Sequence, residues 1–413
     1  MSTPIPTPFH ISIPQEKLDW IQARISSYPW HTLSSFDPTW SSGPPPADLR
    51  TICDHWNTSY SWRRTEERIN ALPNYKAVIQ DLSIHFIHEK GTPRGTSDSK
   101  NGRRPRALLL LHGWPYSFHS YTDLIPRLAH PERFGGNKED AFDVVVPSFP
   151  GFGFSQIKEP MNPKACGEIF NELMVDVLGY ETYLAHGGDW GASTSQLLAY
   201  FHPESCVGIS LTMSVVRHHG GMICSGDVVG DASEEEKRHA ELEKEIWDEE
   251  KAYNLLQSTR PLKLAYAMMD SPVGVAAWLL EAWYAWSDLS PLSGGTGKRS
   301  LTELYTLDAL IDEVMIYLVT ETSNTSTWIY AKDWKEHVWT LPEGEKIEVP
   351  TAFIKCPDPV FPLPPRGLLE RIHRRIVRWR EADRGGHYLM YENPEVVFEE
   401  LVGFGRVMDG EGQ

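Results

Sequence analysis

Short apolar runs alternate with helix-like segments over residues 107–211, and this pattern constrains the fold more than any other feature. The apolar runs cover 107–111, 142–146, 183–185 and 207–211, and the helix-like segments cover roughly 117–129, 165–178 and 191–201. Strands that alternate with helices favour a parallel sheet covered on both faces. Strand-like runs return at 350–354 and 376–379, and a final helix begins near Pro394. The sequence therefore predicts an α/β fold with a mostly parallel sheet.

The alternation stops between residues 214 and 345. This region holds three helical stretches, a charged one at 233–252, an aromatic-rich one at 262–286 and a third at 300–319. We interpret 214–345 as a helical cap inserted into a core formed by 96–213 and 346–413. Residues 1–95 form an N-terminal arm that packs on core and cap, with a half-buried strand within 76–90. Residues 91–105 are polar and predict an exposed loop.

Charge and cysteine content exclude several classes of function. Lys and Arg total 39 against 56 Asp and Glu, a formal net charge of −17, so no nucleic-acid partner is expected. The 5 cysteines are scattered and form no CxxC pair, which predicts free thiols and no metal site. The N-terminus lacks a secretory pattern, and no apolar run reaches the length of a membrane span. We expect a cytoplasmic protein with no membrane anchor and no cofactor, and the sequence leaves a homodimer open.

The sharpest chemical signal is the motif His-Gly-Gly-Asp-Trp-Gly at 186–191, which follows a strand and opens a helix. A sharp strand-to-helix turn with small residues on both sides exposes one side chain as a nucleophile. The usual Ser is replaced here by Asp189. An Asp at this place could also be a simple helix cap.

Two further motifs complete a constellation. His-Gly-Trp-Pro at 112–115 follows a strand, so the backbone N–H groups of Trp114 and Trp190 are candidates for an oxyanion hole. His387, in Gly-Gly-His, lies between a strand and the last helix, where a hydrolase places its base. Asp358 is the preferred acid, and Asp383 and Glu381 are rivals that we interpret as solvated charges.

These motifs give the chain a resemblance to a known family. It resembles the microsomal-type epoxide hydrolases of the α/β-hydrolase fold, specifically their soluble members. The resemblance covers nearly the whole chain and rests on PFHISIPQEKLDWIQARI, WRRTEERINALPNY, HGWP, VVPSFPGFGFS, GGDWG, DSPVGVAAWLLEAW and GGHYLMYENPE. It implies an α/β-hydrolase core, hydrolysis of an epoxide and a cis Trp114–Pro115 bond.

The resemblance also implies two cap tyrosines that hold the epoxide oxygen. Tyr253, just before Gln-Ser-Thr-Arg-Pro, and Tyr330, in Trp-Ile-Tyr, match the family pattern. The other candidates in the cap are Tyr266, Tyr284 and Tyr305. Two segments depart from the family, a Gly-rich cap entrance at 220–231 and a Pro-rich acid loop around Asp358, which could shift the acid by one residue.

The residue types suit the implied reaction. A carboxylate such as Asp189 is ionised at pH 7 and attacks without a base. A phenol remains protonated at that pH and can donate a proton to the leaving alkoxide. The resulting ester on Asp189 is hydrolysed by water that His387 activates, with Asp358 orienting the imidazole. The expected partners are water and a small apolar epoxide, which becomes a vicinal diol.

Other functions stay open at this point. A haloalkane-type dehalogenase would share Asp189 and His387 and could bind halide through the Trp190 indole. A biosynthetic relative would open the epoxide with a substrate hydroxyl instead of water. An esterase or lactonase is disfavoured because a carboxylate attacking a carbonyl gives a reversible anhydride. A non-catalytic binding protein would retain the fold and lose turnover.

Overall fold

The computed structural model describes residues 5–30, 39–95, 104–218, 232–291 and 297–410. A single nine-stranded sheet runs through the described part of the chain. Its strands are β1 (Thr7–Pro8), β2 (Asn74–Ile79), β3 (Leu82–Glu89), β4 (Arg106–Leu111), β5 (Phe142–Pro147), β6 (Tyr183–Gly187), β7 (Cys206–Leu211), β8 (Ile347–Lys355) and β9 (His373–Glu381).

The strand order is β1-β2-β3-β5-β4-β6-β7-β8-β9. The pairs from β5 to β9 are parallel, and β1, β2 and β3 join as antiparallel strands. Strands β4, β5 and β6 are nearly continuous runs of buried residues, as expected for strands covered on both faces. The predicted mostly parallel sheet is therefore confirmed.

Helices lie on the sheet and form the cap above it. Those before β7 are α1 (Gln15–Ser26), α2 (Pro46–Thr58), α3 (Trp62–Asn70), α4 (Leu124–Ala129), α5 (Pro163–Glu172) and α6 (Asp189–Phe201). Those between β7 and β8 are α7 (Glu234–Glu250), α8 (Ala252–Thr259), α9 (Pro261–Met268), α10 (Pro272–Trp286), α11 (Leu301–Leu304), α12 (Leu307–Val319) and α13 (Trp328–Glu336). The last three are α14 (Arg366–Ile372), α15 (Leu389–Glu392) and α16 (Pro394–Met408).

The cap helices enter the chain between two neighbouring strands. β7 and β8 pair directly in parallel, with Ile209 opposite Thr351, although α7 to α13 separate them in sequence. Both strands therefore end at the same edge of the sheet, and the inserted helices cover that edge.

The N-terminal arm is tied to the cap through one buried carboxylate. Asp312 on α12 accepts hydrogen bonds from the Tyr60 hydroxyl at 2.7 Å, from the Thr65 hydroxyl and from the Arg68 guanidinium at 3.1 Å. The arm also reaches the core, because β1 pairs with β2 at the sheet edge. The chain division at residues 95, 213 and 345 stays a prediction.

Several local predictions need correction. The strand expected within 76–90 is a hairpin of β2 and β3, whose turn residues Gln80 and Asp81 both have positive φ, at 48° and 60°. This turn lacks the Asn-Gly or Asp-Gly pair that normally announces it. Of the predicted loop at 91–105, residues 96–103 lie outside the described residues. The described part is not wholly exposed, because Arg94 is 4% exposed and pairs with the carboxylate of Asp409.

Helix boundaries also differ from the predictions. Pro126 lies within the 117–129 segment, which is a short 3₁₀ turn at Phe118–Tyr121 followed by α4. The aromatic-rich stretch divides into α9 and α10, and α10 starts anew at Pro272 with Ser271 as its cap. Proline is favoured in a first helical turn and disfavoured inside a helix, which explains this division.

Some predictions fall outside the described residues or concern only part of them. The Gly-rich cap entrance at 220–231 and Cys224 lie outside the described residues. The other four cysteines are buried free thiols. Over the described ranges, no helix combines the length and apolarity needed to cross a bilayer.

Candidate active site

Four loops that carry predicted site residues meet at one edge of the sheet. They follow the carboxyl ends of β4, β6, β8 and β9 and bring Trp114, Asp189, Asp358 and His387 together. Parallel strands place their carboxyl ends at a common edge, where α/β proteins normally bind ligands. The cap helices α8 and α13 supply Tyr253 and Tyr330 from above.

The turn between β6 and α6 holds Asp189 in a strained backbone conformation. Its φ is 49°, in the left-handed region that a non-glycine residue rarely adopts. Glycine is required on both sides because a side chain on Gly187 would collide with the Gly191 backbone, and one on Gly191 would collide with the Leu111 carbonyl. The turn therefore holds the Asp189 carboxylate at the end of the sheet. This strained backbone conformation would be unusual for a residue that served only as a helix cap.

One oxygen of the Asp189 carboxylate is bound by the loop after β4. The Trp114 backbone N–H donates to Asp189 Oδ1 at 2.8 Å, and the Trp114–Pro115 peptide bond is cis, as predicted. The first intrahelical bond of α6 runs from the Ala192 N–H to Gly188, so the Trp190 N–H lies outside the helical ladder. Of the two predicted oxyanion-hole donors, the Trp114 N–H contacts the carboxylate and the Trp190 N–H belongs to the residue that follows Asp189.

His387 lies between two carboxylates. Its Nδ1 is 2.9 Å from Asp358 Oδ2, and its Nε2 is 3.4 Å from Asp189 Oδ2. Burial by itself lowers the pKa of His387, but Asp358 and Asp189 together raise it to about 10. At neutral pH the imidazole is therefore protonated.

The acid loop holds Asp358 firmly in place. Its Oδ1 accepts backbone hydrogen bonds from Val360 and Phe361, both at 2.9 Å, which leaves Oδ2 for His387. The two rival acids lie elsewhere. Asp383 is exposed, and Glu381 is at the surface 3.5 Å from Lys355. The Pro-rich loop thus brings Asp358, and neither rival, to the histidine.

The two predicted tyrosines pack edge to face in the cavity that Asp189 also lines. Their ring centroids are 6.0 Å apart at an interplanar angle of 84°. The Tyr253 ring stacks on Trp114 at 5.4 Å, and the Tyr330 ring meets the edge of Trp190 at 4.7 Å. Burial, with smaller contributions from Tyr253 and Asp189, keeps the pKa of Tyr330 well above its ordinary value, so this phenol retains its proton.

The three rival tyrosines that the sequence offers do not line this cavity. Tyr266 is 84% exposed, Tyr284 stacks on Trp40 at 4.6 Å, and the Tyr305 hydroxyl lies 2.6 Å from the Ser287 hydroxyl. Tyr253 and Tyr330 line the cavity that opens beside Asp189.

The wall of the cavity is mainly aromatic and apolar. Its lining residues are Asp189, Trp190, Ser193, Met213, Val215, Trp247, Tyr253, Asn254, Ser258, Tyr330, Asp333, Trp334, His337, Trp339 and Phe361. Among the described residues, no group of three or more His, Cys, Asp and Glu could hold a metal ion.

Sequence reasoning missed the residues that hold the histidine loop. The His387 N–H donates to the Trp286 carbonyl at 2.9 Å, and the Glu392 carboxylate accepts from the N–H groups of Gly386 and Asp288, both at 2.8 Å. These bonds join the loop after β9 to the end of cap helix α10. Glu392 belongs to the Glu-Asn-Pro sequence at the start of α16, which is part of a motif shared with the family. Nothing in that sequence indicates these long-range partners.

Comparison with known proteins agrees with this arrangement. A family model described as epoxide hydrolase N terminus matches residues 6–121, and one described as alpha/beta hydrolase fold matches residues 106–222. A Stigmatella aurantiaca protein, named provisionally as an epoxide hydrolase, is 34% identical over 397 residues, which are 96% of this chain and 83% of that protein. Epoxide hydrolase 1 of Sus scrofa is 30% identical over 95% of this chain and 87% of its own.

A solved structure of Aspergillus niger epoxide hydrolase superposes with a TM-score of 0.78 at 25% identity, covering 97% of this chain and 95% of that one. The fold is therefore that of the α/β hydrolases, with a cap inserted before β8. Within that fold the chain belongs to the epoxide hydrolases, enzymes that add water to an epoxide to give a diol.

Proposed function

We propose that this chain hydrolyses a small apolar epoxide through a covalent ester on Asp189. The observation that carries the proposal is the placement of the Asp189 carboxylate. Trp114 binds its Oδ1 at 2.8 Å, its Oδ2 lies 3.4 Å from His387, and two tyrosine rings stand across the cavity. A carboxylate needs no base to attack, so this arrangement leaves the histidine for a second step.

In the first step, an Asp189 oxygen attacks one oxirane carbon and the C–O bond of the ring breaks. Tyr253 and Tyr330 donate hydrogen bonds to the ring oxygen, and one phenol transfers its proton to the alkoxide as it forms. The product is a hydroxyalkyl ester. A proton from the His387 imidazolium restores the phenol, through water or directly, and leaves the imidazole neutral.

In the second step, neutral His387 removes a proton from water and the hydroxide attacks the ester carbonyl carbon. The Trp114 and Trp190 N–H groups stabilise the oxyanion. Collapse breaks the carbonyl carbon's bond to the alcohol oxygen, which takes up the proton brought by the hydroxide, and releases the diol and the Asp189 carboxylate. Esterification removes one of the two negative charges that raise the pKa of His387. The pKa of His387 therefore falls while the ester is present, when a free base is needed. It rises again when hydrolysis restores the Asp189 carboxylate, and the imidazole then keeps its proton.

The aromatic cavity supports an apolar substrate body, and water is the proposed final nucleophile. A substrate hydroxyl that itself attacked the oxirane carbon and opened the ring would give a cyclic ether instead of a diol. Location in the cytoplasm stays a prediction.

The first test is a product screen with aryl and alkyl epoxides beside haloalkanes of similar size. We expect diols from the epoxides and no halide release from the haloalkanes. In a single turnover in ¹⁸O-labelled water with enzyme in excess, the first diol should be unlabelled because its new oxygen comes from Asp189. Halide release without diol formation would replace the proposal with dehalogenation, and label in the first diol would contradict the ester.

Replacing Tyr253 or Tyr330 with Phe should slow alkylation of Asp189 by about tenfold or more, because each change removes a donor from the charged oxygen. The double Phe variant should have almost no activity toward epoxides. Stopped-flow quenching of tryptophan fluorescence measures the alkylation rate. The exposed Tyr266→Phe is the matched control and should match the parent. Parent-like rates in both single variants would assign the proton transfer to other residues.

A further inference from the structure

A second carboxyl group, Asp333, lines the wall of the same cavity and takes no part in the proposed reaction. It is only 6% exposed and lies three residues beyond Tyr330 on α13. Burying a carboxyl group is costly unless its oxygens find partners. The contacts of Asp333 therefore indicate what the cavity is built to bind.

Only one oxygen of this carboxyl group has a partner. Asp333 Oδ2 accepts a hydrogen bond from the Trp339 indole N–H at 2.8 Å. Asp333 Oδ1 is buried and has no hydrogen-bond partner within the described part of the chain. Of the two lysines on the same helix, Lys332 pairs with Glu336 at 2.8 Å and Lys335 is exposed. Burial, together with the Glu336 charge, raises the pKa of Asp333 to about 7.

The position of Asp333 on α13 indicates where a bound group would lie relative to Tyr330. Residues three apart on a helix lie on the same side, with about 5–6 Å between their Cβ atoms. A group bound at Asp333 would therefore lie on the same side of α13 as an epoxide oxygen held by Tyr330, but separate from it. Asn254 and Ser258 also line the cavity, and the Ser258 hydroxyl donates to the Asn254 side-chain oxygen at 3.1 Å. The cavity thus has a polar part in an otherwise apolar wall.

We propose that Asp333 binds a hydrogen-bond donor on the substrate, a hydroxyl or an amine, at a position remote from the epoxide ring. The preferred substrate is then an apolar epoxide with one remote donor group. This inference rests on the proposed function and narrows its substrate class. A carboxyl oxygen without a partner gains a bond from such a substrate and gains none from a hydrocarbon of the same length.

The test compares four terminal epoxides on six-carbon chains that end in a hydroxyl, an amine, a methyl ether or a methyl group. We expect kcat/KM for the hydroxyl or amine compound to exceed that for the methyl ether by about tenfold or more. The relative rates of those two donors show which one the carboxyl group prefers. Equal kcat/KM for all four compounds on the unaltered protein would overturn the proposal without need of any variant.

Asp333→Asn sharpens the test because Trp339 fixes the orientation of the new amide. The indole N–H needs an acceptor, so the amide oxygen takes the place of Oδ2 and the NH₂ group takes the place of Oδ1. The preference should then reverse toward the methyl ether, which accepts a hydrogen bond. An unchanged preference for the donor in this variant would also overturn the proposal.

Asp248→Asn is the matched control, since this carboxylate is exposed on cap helix α7 and pairs with Lys251. It should keep the parent ranking of the four compounds. Turnover of the hydrocarbon epoxide separates the two proposals. Loss of turnover on all four epoxides in the unaltered protein would refute the proposed function, whereas turnover with no donor preference would refute only the role of Asp333.

Discussion

Asp189→Ala should lower epoxide turnover by on the order of 10⁴ or more, because the variant lacks the carboxylate oxygen that attacks the oxirane carbon. The variant should still fold. It loses the hydrogen bond from Trp114 and places Ala at a φ of 49°, a combined loss of about 2–3 kcal/mol of stability. Steady-state diol formation and thermal unfolding measure the two effects separately.

Asp189→Asn provides the control for folding. Asn tolerates the left-handed region, and its side-chain oxygen can still accept from the Trp114 N–H. This variant should therefore unfold close to the parent temperature and be equally inactive when freshly prepared. Near-normal turnover in both variants would remove Asp189 from the mechanism and leave it as a helix cap.

The same Asn variant bears on His387. With one of its two neighbouring charges removed, the pKa of His387 should fall from about 10 toward its ordinary value. The imidazolium should then lose its proton at a lower pH than in the parent, which NMR of labelled histidine can follow. The Asn variant thus imitates the charge state of the ester.

The sequence could predict the residues around Asp189 because local chemistry determines them. A nucleophile turn needs glycine where Gly187 and Gly191 approach other backbone atoms, and this need leaves a visible motif. Strand alternation likewise predicted the parallel part of the sheet. The acid was harder, yet the choice of Asp358 agrees with its position 2.9 Å from His387.

Other features could not be predicted because they depend on contacts between distant segments. The bonds from Gly386 and Asp288 to Glu392 join the core to the cap across about a quarter of the chain. The β2–β3 hairpin was missed because its Gln-Asp turn has no glycine. Asp333 gives no sequence signal, since an acidic residue on a helix is usually a surface residue, and only burial reveals it.

His387→Gln should stop the reaction after its first step. Attack by Asp189 on the epoxide needs no base, whereas hydrolysis of the ester needs a group that takes a proton from water. Gln keeps a polar side chain in the loop but cannot accept that proton. The ester should therefore accumulate, and steady-state turnover should fall by on the order of 10³ or more.

Intact mass spectrometry after addition of epoxide measures the effect directly, since the ester adds the full mass of the substrate to the protein. Peptide mapping should place that mass on Asp189. His10→Gln changes an exposed histidine of the arm and should show neither the added mass nor lost turnover. The double variant Asp189→Asn/His387→Gln should also stay unmodified, because it lacks the nucleophile. The contradicting result is a His387→Gln variant that binds epoxide and keeps an unmodified mass. In that case either Asp189 does not attack the ring or His387 acts before the attack. A two-step reaction that uses the base only in the second step would then be wrong.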